Sequence, residues 1–292
     1  FNLEKSMIKK AVLPVAGLGT RFLPASKATP KEMLPIIDKP LVQYAVEEAI
    51  NVGIEEIVFI TSDEKHSIEK HFIENYEMAE KLTKSGKDEY VDKLNPKIFK
   101  NVKFHYINQK KQNGLGDAVL HADKIIGDDT FAVLLPDDLF FSEISCLSQL
   151  IETYERTNSS VIAVNNIDQE NIHKYGVIKP GKNEHDSFLI EDIVEKPNLS
   201  NAPSDIAVCG RYIFKSTIFK HLKSTSFDKS GEIQLTDAIR SMIVEEKVYA
   251  KMYQGEKFDC GSKKGFVHAT IAVALRDKTL SNDIKKIIRE II

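Results

Sequence analysis

Glycines and cationic side chains are concentrated in the segment from residue 13 to 35, LPVAGLGTRFLPASKATPKEMLP, which includes the end of a short apolar run. Gly17 and Gly19 carry no side chains, so successive backbone N–H groups there can approach and cradle phosphate oxygens. Arg21 and Lys31 add positive charge to the same segment. A turn that only joins two elements needs the glycines but not the cations. We therefore interpret this segment as a phosphate-binding loop, with a connecting turn as the alternative.

A second candidate is a pair of aspartates, Asp137 and Asp138, that directly follows the apolar run FAVLLP. A carboxylate at the end of a strand in an α/β sheet points into the ligand crevice, and Mg²⁺ takes one or two such oxygens together with substrate phosphates. Asp259 in KFDCGSK follows another short β-like run and could supply a second acid. These acids predict a magnesium site, with a turn or helix cap as the alternative for the aspartate pair.

The signatures of several other enzyme classes are incomplete. The segment GLGTRF lacks the last glycine of the dinucleotide fingerprint, and the Gly-Lys pairs at 86–87 and 181–182 lack the Ser or Thr of a P-loop. The sequence contains no HExxH, CxxC or GxSxG. A zinc peptidase or a hydrolase with a serine nucleophile would therefore have to be assembled without a local signal.

Residue composition and net charge exclude some classes of binding partner. The chain has 292 residues, of which 42% are hydrophobic and 28% charged, and this is typical of a soluble globular protein. A net charge of -3 argues against nucleic acid or an anionic membrane as the main partner. The cysteines, Cys146, Cys209 and Cys260, are too few and too far apart for a disulfide framework, which favours a cytoplasmic setting.

Predicted strands and helices alternate along the chain, and they must position the candidate glycines, cations and acids. Residues 8–16 predict a strand that leads into the glycine loop, residues 41–52 an amphipathic helix and residues 55–62 a second buried strand. The later segments predict strands at 102–107, 131–136, 160–165, 176–179 and 206–214, and helices at 117–126, 143–157 and 235–246. This alternation predicts an α/β fold with a largely parallel central sheet, in which ligands bind beyond the carboxyl ends of the strands.

The opening segment, extended to LPVAGLGTRFLPASKATPKEMLPIIDKPLVQY, resembles the N-terminal signature of bacterial UTP–glucose-1-phosphate uridylyltransferases, also called UDP-glucose pyrophosphorylases. The resemblance continues in order through QKKQNGLGDAV, VLLPDD, KYGVI, IVEKP, VCGRYIF, GEIQLTDAI and FDCGS. It implies a Rossmann-like nucleotidyltransferase fold, with a mixed, mostly parallel central sheet flanked by helices and a helical C-terminal segment. The implied catalytic domain covers residues 7–262, with a helical insertion at about 63–100, and the C-terminal segment covers 263–292.

The resemblance also implies roles for particular residues. The loop residues Ala16, Gly17, Leu18 and Gly19 would lie over the nucleotide, and Gln109 and Gly114 would read the edge of the pyrimidine. Arg21 and Lys31 would face the triphosphate, and Asp137 would bind Mg²⁺, sharing it with Asp259. Gly176 and Glu195 would contact the sugar, Lys196 the sugar phosphate, and Val208 to Gly210 the hexose.

The reaction implied is the transfer of a uridylyl group from UTP to glucose 1-phosphate. The attacking phosphate oxygen is already anionic, so the enzyme needs positioning and charge stabilisation rather than a side-chain nucleophile. We expect UTP and glucose 1-phosphate as small-molecule partners, no membrane partner, and a homo-oligomer that is a dimer or a tetramer. The C-terminal isoleucines Ile284, Ile287, Ile288 and Ile291 form one helical stripe, which is either core or an oligomer contact.

Alternatives stay open at the level of function and of single residues. A related enzyme that uses dTTP would carry a similar loop and similar acids, and a non-catalytic nucleotide-sugar sensor could share the fold. Gln109 could be an ordinary loop amide, and Glu195 with Lys196 a surface ion pair. For Thr236 and Asp237 in GEIQLTDAI we favour a structural role as a helix cap.

Overall fold

The computed structural model describes residues 8–184 and 186–291. Most of its strands are short and apolar. In chain order the strands are β1 Lys10–Pro14, β2 Pro35–Ile36, β3 Lys39–Pro40, β4 Glu56–Thr61, β5 Lys103–Asn108, β6 Phe131–Leu134, β7 Asp138–Phe141, β8 Ser160–Asn166, β9 Gly176–Glu184, β10 Ser187–Glu195, β11 Ile206–Phe214, β12 Val248–Met252 and β13 Glu256–Asp259.

Helices follow or separate these strands. They are α1 Leu41–Asn51, α2 His66–Phe72, α3 Tyr76–Lys84, α4 Val91–Leu94, α5 Leu115–Leu120, α6 Asp123–Ile126, α7 Cys146–Thr157, α8 Ile218–Ser224, α9 Leu235–Glu245, α10 Lys263–Arg276 and α11 Ser281–Ile291. Within the described parts of the chain, none of these helices has the length and apolarity needed to cross a membrane.

A nine-stranded sheet forms the centre, in the order β5-β4-β1-β6-β11-β8-β12-β10-β9. Strands β5, β4, β1 and β6 are parallel neighbours, and β8 is parallel to β12. Strands β10 and β11 are antiparallel to the other strands of the sheet. The predicted mixed, mostly parallel sheet is therefore confirmed.

Both faces of the sheet are covered, which is why its central strands read as continuous apolar runs. Side chains alternate between the two faces of β1: Val12 packs in one hydrophobic cluster, and Ala11 and Leu13 pack in the other. Helices α5, α8 and α9 contribute to the first cluster. Helices α1, α2 and α7 contribute to the second.

A separate antiparallel ribbon of β7 and β13 lies next to the main sheet in the fold. Its register places Asp138 opposite Asp259. A third hydrophobic cluster joins this ribbon to α10 through residues such as Leu139, Phe258 and Ala269. The ribbon thus brings the end of β6 and the start of α10 together.

Some predicted boundaries differ from the structure. The helix predicted at 117–126 is two short helices, α5 and α6, and the helix predicted from residue 143 begins at Cys146 because Ser145 caps it by accepting from the N–H of Ser148 at 3.1 Å. Strands β10 and β12 were not predicted. Strand β10 is antiparallel to both of its neighbours, whereas β12 is antiparallel to β10 and parallel to β8, and charged residues within both strands weaken the apolar signal.

Candidate active site

The carboxyl ends of the parallel strands meet at one edge of the sheet. The glycine loop follows β1, Lys65 follows β4, Gln109 follows β5 and Asp137 follows β6. Because these strands are parallel neighbours, residues that are distant in sequence converge at this edge. The following contacts define a candidate active site there.

The glycine loop has a tight backbone path around Lys31. Gly19 has a φ of 65°, in the left-handed region, and its carbonyl oxygen accepts a hydrogen bond from Ser26 Oγ at 2.7 Å. A Cβ at this position would lie 3.2 Å from Cβ of Lys31. The left-handed dihedral angle therefore favours glycine at residue 19, and the close approach of Lys31 adds to this preference. Within the loop Ala16 is buried, whereas the side chain of Leu18 is 67% exposed.

A buried lysine fixes the start of this loop. Lys65 Nζ donates to the carbonyl oxygen of Gly17 at 2.6 Å and to Glu32 Oε2 at 2.8 Å, and it also bonds the carbonyl oxygen of Val15. Lys65 and Glu32 are 8% and 1% exposed. Burial lowers the pKa of Lys65 and raises that of Glu32. Sequence reasoning missed this pair, since both residues lie in charged or mixed segments that resemble solvated surface.

The two groups predicted to act on the phosphates and on the metal bind each other. Lys31 Nζ lies 2.7 Å from Asp137 Oδ2. Burial alone would lower the pKa of Lys31, but Asp137 and Glu32 outweigh it and raise that pKa above its ordinary value. Burial likewise opposes ionisation of Asp137, and Lys31 outweighs it and lowers the pKa of the carboxyl. The pair is therefore ionised, with a positive and a negative group in contact.

Gly261 lies between the two predicted metal ligands. A Cβ built on Gly261 would lie 3.0 Å from Asp137 Oδ2 and 3.1 Å from Asp259 Oδ1. The N–H of Gly261 donates to Asp259 Oδ1 at 3.0 Å, and Arg21 Nη1 donates to the carbonyl oxygen of Gly261 at 3.4 Å. The structure thus brings Arg21, Lys31, Asp137 and Asp259 together around one glycine.

A second ion pair lies directly behind these acids. Lys257 Nζ is 3.0 Å from Asp138 Oδ1, and each side chain is 13% exposed. Burial raises the pKa of Asp138, Lys257 opposes this, and the neighbouring Asp137 adds to it. Asp138 raises the pKa of Lys257 against the effect of burial. Sequence reasoning also missed Lys257, because a single lysine before FDCGS gives no signal of its buried partner.

Arg211 holds the backbone that carries the aspartates. It is 1% exposed, in the middle of β11, and its Nη2 lies 2.9 Å from Glu48 Oε2. Its Nη1 donates to the carbonyl oxygen of Leu135 at 2.9 Å and its Nη2 to that of Asp138 at 3.1 Å. An arginine inside the apolar run IAVCGRYIF is a signal that could have identified it.

The two residues predicted to read the base lie together. Gln109 is 3% exposed, and its Nε2 donates to Asp117 Oδ2 at 2.7 Å and to the carbonyl oxygen of Gly114 at 3.4 Å. A Cβ on Gly114 would lie 2.7 Å from the carbonyl oxygen of Ile233. Gln109 is therefore a buried and hydrogen-bonded amide, and its role in reading the base stays a prediction.

The predicted sugar contacts also form a group. A Cβ on Gly176 would lie 2.7 Å from Thr236 Cγ2, 3.3 Å from Glu195 Oε2 and 3.6 Å from Val208 Cγ2. Thr236 Oγ1 donates to Glu195 Oε2 at 3.0 Å, and no side chain caps α9. The predicted cap role for Thr236 or Asp237 is therefore wrong, because Thr236 binds a neighbouring strand.

The last two predicted sugar-side residues are Lys196, which lies beside Glu195, and Gly210, which lies beside Asp138. Lys196 Nζ is 3.0 Å from Glu195 Oε1, but the lysine side chain is 53% exposed, so the pair also fits the interpretation as a surface ion pair. A Cβ on Gly210 would lie 2.6 Å from Asp138 Oδ2. Gly210 therefore connects the hexose wall predicted from the resemblance with the buried ion pair behind Asp137.

Comparison with known proteins gives consistent similarities. The family model described as nucleotidyl transferase matches residues 10–275. The chain is 44% identical over 277 residues to the UTP–glucose-1-phosphate uridylyltransferase of Bacillus subtilis (strain 168), and the match covers 95% of this chain and 94% of that protein.

Solved structures agree with this match. The fold superposes with a TM-score of 0.89 on the UTP-bound UGPase from Acinetobacter baumannii, at 39% identity, covering 98% of this chain and 100% of that chain. A UDP-glucose pyrophosphorylase complexed with UDP-glucose gives a TM-score of 0.85 at 40% identity, covering 92% of this chain and 100% of that chain. The similarity therefore extends through the sheet, the ribbon and the loops that carry the candidate site.

Proposed function

The chain belongs to the nucleotidyl transferase family and, within it, to the UTP–glucose-1-phosphate uridylyltransferases, and from this premise we propose that it makes UDP-glucose and pyrophosphate from UTP and glucose 1-phosphate. A phosphate oxygen of glucose 1-phosphate forms a bond to the α-phosphorus of UTP. The bond from that phosphorus to the oxygen bridging to the β-phosphorus breaks, and pyrophosphate leaves with the electron pair. The observation that carries the proposal is the convergence of Arg21, Lys31, Asp137 and Asp259 at the sheet edge.

This arrangement suits phosphoryl-type transfer. The attacking oxygen is an anion already, so no residue has to remove a proton from it. The difficulty is to bring two polyanions together and to stabilise the charge that accumulates on the leaving group. Lys31 and Arg21 supply fixed positive charge beside the glycine loop, whose N–H groups offer further donors. We propose that Lys31 and Arg21 contact the triphosphate of UTP and that the loop from Ala16 to Gly19 lies over the nucleotide.

The acids fit a divalent cation of the Mg²⁺ type. Asp137 and Asp259 aim carboxylate oxygens to within 3.1 Å of a single point beside Gly261. Among the residues that the structure describes, no group of three or more His, Cys, Asp or Glu side chains could hold a metal. Two carboxylates are what Mg²⁺ uses when substrate phosphates and water complete its octahedron. When bound, Mg²⁺ offsets negative charge on the triphosphate and on pyrophosphate.

The second group of residues is proposed to bind glucose 1-phosphate. Glu195, held by Thr236, offers a carboxylate that can accept from sugar hydroxyls, and the absence of a side chain at Gly176 lets Thr236 and Glu195 pack against β9. Lys196 is half-exposed and can reach a phosphate while its partner Glu195 faces the sugar. Val208 and Gly210 on β11 complete the wall of this side.

Two further parts of the proposal concern cellular setting and assembly. The cysteines Cys146, Cys209 and Cys260 are free and buried, which supports a reducing, cytoplasmic setting. Helices α10 and α11 expose apolar side chains, including Ile271 at 40% and Ile287 at 46%, and these support a homo-oligomer, a dimer or a tetramer, formed through the C-terminal segment. Light scattering on the purified chain tests this, and the mass of a single chain would contradict it.

The first measurement is initial pyrophosphate release with glucose 1-phosphate and Mg²⁺, comparing UTP with dTTP and including an EDTA control. We expect rapid release with UTP and loss of release with EDTA. A preference for dTTP would move the chain to the thymidylyl enzymes, and absence of release with both nucleotides would support a nucleotide-sugar sensor instead.

The site assignment is tested by Asp137→Asn, with Asp92→Asn as the matched control. Asp92 has an exposed ion pair with Lys97 in the segment proposed as the helical insertion, and its side chain is 66% exposed. We expect Asp137→Asn to be folded and nearly inactive and Asp92→Asn to retain full activity. Near-normal turnover of Asp137→Asn at low Mg²⁺ would contradict the metal assignment.

A further inference from the structure

The amide of Gln109 has one orientation that its surroundings allow. Its Nε2 faces Asp117 Oδ2 at 2.7 Å and the carbonyl oxygen of Gly114 at 3.4 Å. A carboxylate and a carbonyl oxygen can only accept, so the amide nitrogen must face them and the amide oxygen must point the other way. Among the described residues, no donor bonds that oxygen, Oε1.

We infer that Asp117 is a positioning residue that presents Oε1 of Gln109 to the base and so selects pyrimidines with a hydrogen on N3 over cytosine. The inference rests on the proposed function, which gives Gln109 the edge of the base. Asp117 acts through Gln109, and the group that it selects is the imide face shared by uracil and thymine.

The chemistry of the bases explains the selection. Uracil has a donor, N3–H, that Oε1 can accept, whereas cytosine has an unprotonated acceptor at N3. Cytosine would require Gln109 to turn its nitrogen toward the base. That rotation would bring Oε1 against the carboxylate of Asp117, where two acceptors would face each other in a site that is 3% exposed at Gln109. Thymine matches uracil at N3, so this device does not separate UTP from dTTP.

The position of Asp117 is itself held by packing. Asp117 is 9% exposed in α5, and the preceding Gly116 donates its N–H to the carbonyl oxygen of Ile233 at 2.8 Å. A Cβ on Gly116 would lie 2.7 Å from the same oxygen, so α5 lies directly against the segment that precedes α9. The backbone that carries the Asp117 carboxylate is therefore held against the segment that precedes α9.

The test is Asp117→Asn, with Asp123→Asn as the matched control on α6, where Asp123 makes a surface ion pair with Lys223 at 2.7 Å. Asparagine at 117 can present either its oxygen or its nitrogen, so it no longer enforces one orientation of Gln109. The assay is kcat/KM for UTP and for CTP with glucose 1-phosphate. We expect the UTP-to-CTP ratio to fall about tenfold in Asp117→Asn, mainly through KM. We expect no change in Asp123→Asn.

A background of Gln109→Ala separates a positioning role from a general structural one. If Asp117 acts through Gln109, adding Asp117→Asn to Gln109→Ala leaves the ratio unchanged. An unchanged ratio in the single variant, or an equal fall in both backgrounds, would overturn the inference. Should thermal melting show that Asp117→Asn does not fold, Asp117→Ala keeps good helix propensity and takes its place. Absence of UTP turnover in the unmodified protein would instead defeat the proposed function itself.

Discussion

Replacing Lys257 by methionine would remove the partner of a buried carboxylate, Asp138, behind the candidate active site. Lys257 and Asp138 are 3.0 Å apart and each is 13% exposed, so neither charge can be fully hydrated if the other is removed. Removing one member of a buried ion pair costs about 3 to 5 kcal/mol of unfolding free energy, compared with about 0.2 to 1 kcal/mol for an exposed pair. The residual exposure places the expected loss near 3 kcal/mol, at the lower end of the buried range.

The loss should depend on pH in a direction that can be derived. Burial and the nearby Asp137 raise the pKa of Asp138, and Lys257 is the cation that opposes them. Without Lys257 the folded-state pKa of Asp138 rises further above its unfolded value. A group with a raised folded pKa is most favourable to folding while protonated, below its unfolded pKa, and this advantage is lost as pH rises through the folded pKa. The defect of Lys257→Met should therefore be smaller at about pH 5 than at about pH 8.

The assay is urea unfolding of Lys257→Met, Lys257→Arg and the double variant Lys257→Met with Asp138→Asn at both pH values. Arginine keeps the charge and should lose less than methionine. The double variant removes both charges and should recover part of the stability. A loss below about 1 kcal/mol, or an equal loss at the two pH values, would refute the argument that this pair is buried and coupled.

Three other substitutions test the remaining contacts. Asp137→Asn should reduce the loss of stability that acid causes, because Lys31 outweighs burial and lowers the pKa of Asp137 below 3.8 in the folded protein. The contribution of Asp137 to stability is therefore present above 3.8 and is lost as pH falls through the folded pKa. Urea unfolding at acidic pH measures this, and an unchanged acid dependence in the variant would contradict it. Gly261→Ala would put a methyl 3.0 and 3.1 Å from two carboxylate oxygens and should raise the Mg²⁺ concentration needed for half-maximal rate, whereas an unchanged requirement would exclude a cation there. Thr236→Val removes the hydroxyl that donates to Glu195. We expect KM for glucose 1-phosphate to rise several-fold, which corresponds to about 1 kcal/mol of lost binding free energy, with little change in kcat. A change confined to kcat would contradict the sugar assignment.

Parts of this site were predictable because their signals are local. Glycines, cations and prolines within one short segment predicted the phosphate loop, and an apolar run that ends in two aspartates predicted Asp137 at the end of a strand. The parallel half of the sheet was predictable for the same reason: strands buried on both faces read as apolar runs. Each of these inferences needed only a few adjacent residues.

The supporting contacts were not predictable in this way. Lys65 bonds Glu32 across 33 positions, and Arg211 bonds Glu48 across 163. Nothing near Lys65 or Lys257 in the sequence tells a buried lysine from an exposed one, since the partner that makes burial tolerable comes from another element. Strands β10 and β12 were missed because their registers depend on long-range pairing rather than on local periodicity.

The contact between Lys31 and Asp137 explains why such costly support is present. These residues are 106 positions apart and were predicted to act on opposite charges, yet they bind each other at 2.7 Å. In the proposed reaction, substrate phosphates would compete for Lys31 and a cation would compete for Asp137, so binding would exchange this ion pair for one contact to each ligand. That exchange works only if both groups stay in place when their contact is broken. Lys65, Arg211 and Lys257 bond the loop and the aspartate segment, and under the proposed function these contacts would supply the preorganisation on which electrostatic catalysis depends.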